Sequence, residues 1–399
     1  MPNEFPEYRV RLFLSVDLVG STQLKNKSKS NKQWVKIFQT FYKEFPSTLE
    51  RQYRNITKNE KCCEIRLDDA EREAYPKLWK TIGDEILFCC SLQSLIHLSA
   101  CMIAFIEALI EYGNTLKNSK EMSGGLSTKG NAWVASFPTP NCSISLKDTS
   151  NESVVSEELE EEVDKDPSKF DFLGKGIDAG FRISKFSSEN NFTISPGLGV
   201  LVCKCIEGKN VTGFYHNITF IKQESLKGVV NNNPYPILVI DTCRDDDQKE
   251  LFKIEKKFLK TPEEQDCSQL REYLEKYLNY HEIELPDLKL FSSDKNPEPP
   301  YFYKEYKIEW ENEMEQENKK NKEWEHDMEQ KKETENNDGD KVLKDEMEKI
   351  SKKNPNFYKE YKIEWEHDME QKKKQKIMTE TNYWKMRWRK YLKKILKNQ

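Results

Sequence analysis

The chain has 399 residues, 33% of them charged, and its 64 basic and 69 acidic residues leave a net charge of only −5. That balance argues against a protein that wraps nucleic acid, which would be strongly basic, and we predict no specific nucleic-acid partner. The length allows two or three domains, and 36% hydrophobic residues can form at least one core. Because residues 301–399 hold 25 Lys/Arg and 23 Asp/Glu, the core is expected in the earlier part of the chain.

The lack of recognisable targeting signals and the spacing of the cysteines both favour a reducing compartment. The first residues, MPNEFPEYRVRLFL, lack the apolar stretch and cleavage site of a signal peptide. The longest apolar run, Leu95–Ile110, is interrupted by polar residues and is too short to cross a bilayer. The ten cysteines form no C-x-x-C pair, which disfavours a structural zinc site. We therefore predict a cytoplasmic protein with buried free thiols.

Strand-like and helix-like patterns alternate along the first 243 residues. Short runs of apolar and β-branched residues predict strands, and apolar residues at three- and four-residue steps predict helices. The predicted strands are Val10–Val16, Leu78–Ile82, Glu85–Cys90, Asn131–Phe137, Val200–Cys205 and Pro236–Ile240. The predicted helices cover Trp34–Phe45, Leu95–Leu116 and Ile177–Phe186. This alternation indicates a sheet covered by helices.

Changes in composition divide the chain into three regions. Residues 1–243 contain the strands and helices predicted above. An acidic insertion interrupts this region at about 141–168, and its most acidic part, Glu152–Asp166, is expected to be an exposed loop. Residues 244–300 are predicted to be a helical linker, with a helix near Ser268–Tyr280 and a stiff hinge at Pro297–Pro300. Residues 301–399 are predicted to form a charged, helical, repeat-containing extension.

The extension contains a duplication. FYKEYKIEWENEMEQ (Phe302–Gln316) recurs as FYKEYKIEWEHDMEQ (Phe357–Gln371) with two differences. Tyr303, Tyr306, Trp310 and Met314 lie at three- and four-residue steps, which predicts an amphipathic helix that packs on itself or on a partner helix.

The end of the chain is basic. Lys372–Gln399 has eleven Lys/Arg against one acidic residue, interleaved with tryptophan and tyrosine. This pattern suits an anionic surface such as a membrane, and it equally suits a solvated helix end that neutralises the acidic repeats.

Two acidic residues stand at the ends of predicted strands. Asp17 follows FLSV, and Asp84 lies in the Gly83-Asp84 turn between two strands. A carboxylate at a buried strand end is costly unless it is paired or binds a cation. Adjacent strands would bring the two together as a site for Mg²⁺ or Mn²⁺, which prefer oxygen ligands. Taken alone, each residue is better explained as a helix cap or a turn residue.

Three motifs resemble the signature of class III nucleotidyl cyclases. They are FLSVDLVGST, LWKTIGDEILF and FDFLGKGIDAGFR, in that order. The resemblance implies an α+β fold with a mostly antiparallel sheet covered by helices, and a head-to-tail homodimer with active sites at the interface. It also implies the following roles: Asp17, Asp84 and the Leu18 carbonyl bind two Mn²⁺ or Mg²⁺ ions, Lys80 and Asp171 contact the base, Asp178 orients the ribose, and Arg182 binds phosphate.

A narrower resemblance covers about Tyr8 to Thr242. KGNAWVASFP, IDAGFRISKF and LKGVVNNNPYPILVID are similar to segments of the pyrimidine nucleotide cyclases of bacterial Pycsar antiphage systems. It implies that UTP, or CTP as the second choice, is converted to the 3′,5′-cyclic nucleotide and pyrophosphate, and that the product is a second messenger in antiphage defence.

Two alternatives stay open. Lys80 and Asp171 occupy positions that read a purine in adenylyl cyclases, so an adenylyl or guanylyl cyclase is the alternative enzyme, although Asp178 stands where purine cyclases usually carry asparagine. The alternative of another class is a helical scaffold or membrane-surface adaptor with an inactive cyclase-like domain.

Overall fold

A computed structural model describes residues 4–28, 30–58, 67–119, 125–146, 155–258, 265–316 and 319. The strands in these ranges are β1 (Arg9–Val19), β2 (Lys77–Ile82), β3 (Glu85–Ser91), β4 (Ser127–Phe137), β5 (Asn141–Ser145), β6 (Phe170–Gly174), β7 (Asn191–Ile194), β8 (Ile218–Ser225) and β9 (Pro234–Asp241). The helices are α1 (Ser21–Lys27), α2 (Asn31–Lys58), α3 (Asp69–Glu73), α4 (Leu95–Asn118), α5 (Glu157–Lys165), α6 (Lys175–Ile183), α7 (Pro196–Glu207), α8 (Lys209–Thr212), α9 (Asp246–Phe258) and α10 (Cys267–Tyr280). Residues 301–316 are also helical. The chain divides into two units, Met1–Asn312 and Glu313–Gln399, and all labelled elements belong to the first.

Seven strands form one sheet in the order β2-β3-β1-β4-β7-β9-β8. Every neighbouring pair in it is antiparallel except β4 and β7, which run parallel. Strands β5 and β6 make a separate antiparallel pair. The predicted α+β class, with a mostly antiparallel sheet covered by helices, is confirmed.

Strand β1 shows how the sequence builds two cores, one on each face of the sheet. It pairs with β3 on one edge and β4 on the other, and its side chains are buried on both faces. Successive side chains point to opposite faces. Leu12, Leu14 and Val16 therefore enter the core beneath α2, α4, α7 and α10, whereas Phe13 enters the second core.

Helix α4 fills the centre of the first core. It is long and apolar enough to cross a membrane by length and composition, but 83% of its most apolar stretch is buried inside the protein. Its first turn is capped by Ser94, whose hydroxyl accepts a hydrogen bond from the His97 amide at 3.1 Å. The prediction of a helix over Leu95–Leu116 is confirmed.

The predicted strand at Val200–Cys205 was wrong, because these residues lie in α7. A short continuous apolar run fits a buried strand and a buried helix equally well. The residues before it decide the outcome: Ser195 caps the helix by accepting a hydrogen bond from the Leu198 amide, and Pro196 occupies the first turn.

The second core is rich in aromatic residues and is covered by β6, α5 and α6. Phe13 stacks on Trp133 at 5.4 Å between ring centroids and meets Phe172 edge-on at 5.1 Å. Helix α6 approaches this cluster closely at Gly180, where a Cβ would lie 2.1 Å from the Trp133 ring. The glycine thus sets the position of α6 against β4.

The acidic segment differs from the exposed loop that we expected. Part of it forms β5 and α5, and the structure buries Glu160 to 2% exposure. On β1, the fully buried Arg11 bonds Glu160 at 2.5 Å and Asp164 at 2.6 Å, and Arg9 pairs with Glu157. The acids of α5 therefore neutralise two arginines of the sheet.

Replacing Glu160 with alanine should destabilise the fold. Arg11 would lose its buried carboxylate partner and keep Asp164 as its remaining ion-pair partner, and breaking a buried ion pair costs about 3 kcal/mol in the free energy of unfolding. Urea denaturation measures the loss. Glu161→Ala, an exposed change on the same helix, is the matched control and should cost less than about 0.5 kcal/mol. Equal midpoints for the two variants would contradict the buried cluster.

Candidate active site

Asp17 and Asp84 meet at one end of the sheet. Asp17 lies in β1, opposite Glu85 of β3, and Asp84 occupies the preceding turn, where Gly83 takes the left-handed φ of 63° that favours glycine. The Leu18 amide donates to the Asp84 carbonyl at 3.2 Å. Both acids and Leu18 line one open cavity of about 810 Å³.

The carboxyl group of Asp17 is poorly solvated. Burial raises its pKa, Lys129 opposes the rise, and the charge of Asp84 adds to it. Burial likewise raises the pKa of Glu85, and the charge of Asp17 adds to that rise. Burial and the neighbouring negative charges thus disfavour the ionised forms of Asp17 and Glu85, and a bound cation would relieve this cost.

The donors in the cavity fit a hard divalent cation. Asp17 and Asp84 offer carboxylate oxygens, which Mg²⁺ and Mn²⁺ prefer. The Ser21 hydroxyl donates to Asp84 Oδ2 and so orients that carboxylate. Lys129 is the cross-strand neighbour of Asp17, and its Nζ lies 3.2 Å from Asp17 Oδ2. The ammonium group of Lys129 thus balances the charge of Asp17.

Two lysines make the same cavity suitable for phosphate. Lys129 contacts Asp17, and Lys117 pairs with Glu189 at 2.8 Å. The remaining lining residues are Val19, Gly20, Ser21, Thr22, Gln23, Ser187, Ser188, Asn190 and Gln248. Mixed acids and lysines around an open cavity can hold a polyphosphate together with its metal ions.

The two predicted base-contacting residues come together. Lys80 Nζ lies 2.6 Å from Asp171 Oδ1, and each side chain is about one-third exposed, at 34% and 37%. Strands β2 and β6 are joined here by Trp79, whose indole N–H donates to the Phe170 carbonyl at 3.0 Å. Lys80 and Asp171 do not line the cavity of Asp17 and Asp84.

Asp178 and Arg182 lie one turn apart on α6, and both are exposed. Gly174 lies just before α6; its φ is 145°, and a Cβ there would meet Asn141 at 2.3 Å. Neither Asp178 nor Arg182 lines the cavity that holds the two acids. Within the described residues, one chain therefore keeps the predicted metal ligands apart from the predicted phosphate-binding arginine.

A second group of metal-binding residue types lies in the core. The ligand atoms of Cys90, His97 and Cys101 are within 4.8 Å of one another, although no cysteine spacing predicted this. His97 Nδ1 accepts from the Gln93 amide at 3.2 Å, so Nε2 carries the proton and donates to the Ala74 carbonyl at 2.8 Å. These bonds satisfy the imidazole within the protein, and a ligand role would require breaking them.

No family profile and no curated protein matches this chain. Solved structures that match parts of this chain include the adenylyl cyclase CyaB from P. aeruginosa, at 11% identity and a TM-score of 0.39 over 59% of this chain and 94% of that one. A bacterial light-regulated adenylyl cyclase is 9% identical, with a TM-score of 0.38 over 62% of this chain and 98% of that one. An adenylate/guanylate cyclase/hydrolase from Silicibacter pomeroyi is 13% identical, with a TM-score of 0.31 over 59% and 97%.

Proposed function

We propose that the protein is a pyrimidine nucleotide cyclase that converts UTP, or CTP, to the 3′,5′-cyclic nucleotide and pyrophosphate. The observation that carries the proposal is the meeting of Asp17 and Asp84 in one open cavity that also contains Lys117 and Lys129. We assign the catalytic region to residues 1–243, in line with the extent of the sequence motifs. The proposed product would serve as a second messenger in antiphage defence, as the motifs imply.

The reaction needs positioning and charge more than covalent chemistry. The 3′-oxygen bonds to the α-phosphorus, the bond from that phosphorus to the oxygen bridging the α- and β-phosphates breaks, pyrophosphate leaves, and the 3′-hydroxyl proton passes to solvent. Two Mn²⁺ or Mg²⁺ ions, held by Asp17, Asp84 and the Leu18 carbonyl, would acidify the 3′-hydroxyl and neutralise the triphosphate. Lys129 would then exchange its contact with Asp17 for one with a phosphate oxygen.

The exposure of α6 supports an active site shared by two chains. Asp178 and Arg182 are exposed on α6 and do not line the cavity that contains Asp17 and Asp84. In a head-to-tail homodimer, Arg182 of the partner subunit would reach the α-phosphate and spread its developing charge, and Asp178 of the partner subunit would orient the ribose. Two equivalent sites follow from the two-fold symmetry.

Lys80 and Asp171 would read the base by exchanging their mutual ion pair for contacts with its edge. Uracil presents the O4 acceptor and an N–H donor, which Lys80 and Asp171 match. Cytosine and adenine each present an amino donor beside a ring-nitrogen acceptor, which the same pair also matches. Guanine presents an O6 acceptor beside an N–H donor, as uracil does, so the pair matches purines as well as pyrimidines. An adenylyl or guanylyl cyclase is therefore the second candidate function, and the preference for a pyrimidine rests on the motifs.

Product analysis tests the proposal directly. The purified protein is incubated with Mn²⁺ and each of the four ribonucleoside triphosphates, and the products are identified by mass spectrometry. We expect cyclic UMP, or cyclic CMP, together with pyrophosphate. Cyclic AMP or cyclic GMP alone would replace the pyrimidine assignment with the purine alternative. No product from any triphosphate would contradict the cyclase and favour a scaffold or adaptor.

We also place the reaction in the cytoplasm. Six buried cysteines in the described ranges are free thiols, which suits a reducing compartment: Cys89, Cys90, Cys101, Cys203, Cys205 and Cys243.

A further inference from the structure

The first repeat closes on the N-terminal segment of the chain. The ring centroid of Phe5 lies 5.3 Å from that of Tyr303, 5.8 Å from that of Tyr306 and 5.3 Å from that of Trp310. Tyr303 is 8% exposed, and its hydroxyl donates to the Pro6 carbonyl at 2.7 Å. Its ring also meets Tyr8 edge-on at 5.6 Å. We call Phe5, Pro6 and Tyr8 the Phe5 surface.

The Phe5 surface is held in place by the rest of the protein. The Glu157 amide donates to the Glu4 carbonyl at 3.1 Å, and the Glu7 amide donates to Glu157 Oε2 at 2.8 Å, which ties the segment to α5. The Tyr8 hydroxyl bonds Ser136 Oγ of β4 at 2.6 Å. These contacts are independent of the first repeat, so the surface is a preformed receptor for an aromatic helix.

The three aromatic residues that contact Phe5 are repeated later in the chain. Tyr303, Tyr306 and Trp310 correspond to Tyr358, Tyr361 and Trp365, with identical spacing. The two differences between the repeats, Asn312 against His367 and Glu313 against Asp368, come after the last contacting aromatic residue. Each chain therefore has one Phe5 surface and two segments with the residues that bind it.

We propose that the second repeat, Phe357–Gln371, binds the Phe5 surface of another copy of the chain in place of that copy's own first repeat. The two repeats offer the Phe5 surface the same aromatic side chains, so they differ only in how the chain connects each of them to that surface. The first repeat is joined to its own surface through the chain and occupies it in dilute protein, whereas the second repeat of another copy replaces it as the concentration of chains rises. The second repeat is the supernumerary ligand, and it joins chains into assemblies. This inference does not depend on the cyclase activity.

A peptide binding assay tests whether the surface accepts the second repeat. The full chain is made with both repeats disabled by Tyr303→Ala, Trp310→Ala, Tyr358→Ala and Trp365→Ala, which leaves the surface vacant. We expect a fluorescent peptide of residues 357–371 to bind it, as measured by anisotropy. Binding should weaken at least about 10-fold when the peptide carries Tyr358→Ala and Trp365→Ala, or when the chain also carries Phe5→Ala. No binding, or equal binding by the altered peptide, would overturn the proposal.

Sedimentation tests whether the second repeat joins chains. The chain in which only the first repeat is disabled should form larger, concentration-dependent species than the chain in which both are disabled. Circular dichroism verifies that both variants are folded. Identical sedimentation of the two folded variants would overturn the intermolecular role.

Discussion

An equimolar mixture of Asp17→Ala and Arg182→Ala chains should recover about a quarter of the wild-type cyclase rate, although each variant alone should be at least about 100-fold slower. One chain keeps Asp17 in the cavity and Arg182 on the exposed side of α6, outside that cavity. If each site takes its acids from one chain and its arginine from the other, a mixed dimer has one intact site and one with both defects. Random mixing makes half of the dimers mixed, which leaves a quarter of the sites intact.

The control for this experiment is a mixture of Asp17→Ala with Asp84→Ala chains. Both residues line the same cavity of one chain, so every site in a mixed dimer lacks one acid and no recovery is expected. Two affinity tags allow the mixed dimers to be isolated before the assay. Isolated mixed dimers of Asp17→Ala and Arg182→Ala that stay inactive would contradict a shared active site.

The hairpin that carries Asp84 could be predicted because its signals are local. Two apolar runs flank Gly83-Asp84, and the structure places β2 and β3 on either side of that turn. The neighbouring β1 was equally clear, since its side chains are buried on both faces. With both strands predicted correctly, the proximity of Asp17 and Asp84 followed from their positions at the strand ends.

Residues whose roles depend on distant partners were not predictable. Lys129 comes opposite Asp17 only through the register of β1 and β4, which no local pattern specifies. The acidic helix α5 was expected to be an exposed loop because its acids are adjacent in sequence, whereas the arginines that neutralise them lie on β1, about 150 residues earlier. The charge pattern of a segment does not show which distant residues will form ion pairs with it.

The first repeat falls between these cases. The spacing of Tyr303, Tyr306 and Trp310 correctly predicted a helix with one packing face. Its partner, Phe5, lies in a short segment without periodicity and was found only in the structure. The second repeat and the basic end, Lys372–Gln399, lie outside the described residues, and their predicted roles stay predictions.

The most direct test of the proposed chemistry compares three chains: wild type, Asp84→Asn and Asp69→Asn. The amide of Asp84→Asn keeps the size of the side chain and removes the charge that would hold a divalent cation, whereas Asp69 is a fully exposed acid of α3 outside the cavity. With UTP and Mn²⁺, the rate of cyclic UMP formation should be unchanged in Asp69→Asn and lower by about 100- to 1000-fold in Asp84→Asn. Equal rates for all three chains would contradict the role of the two acids.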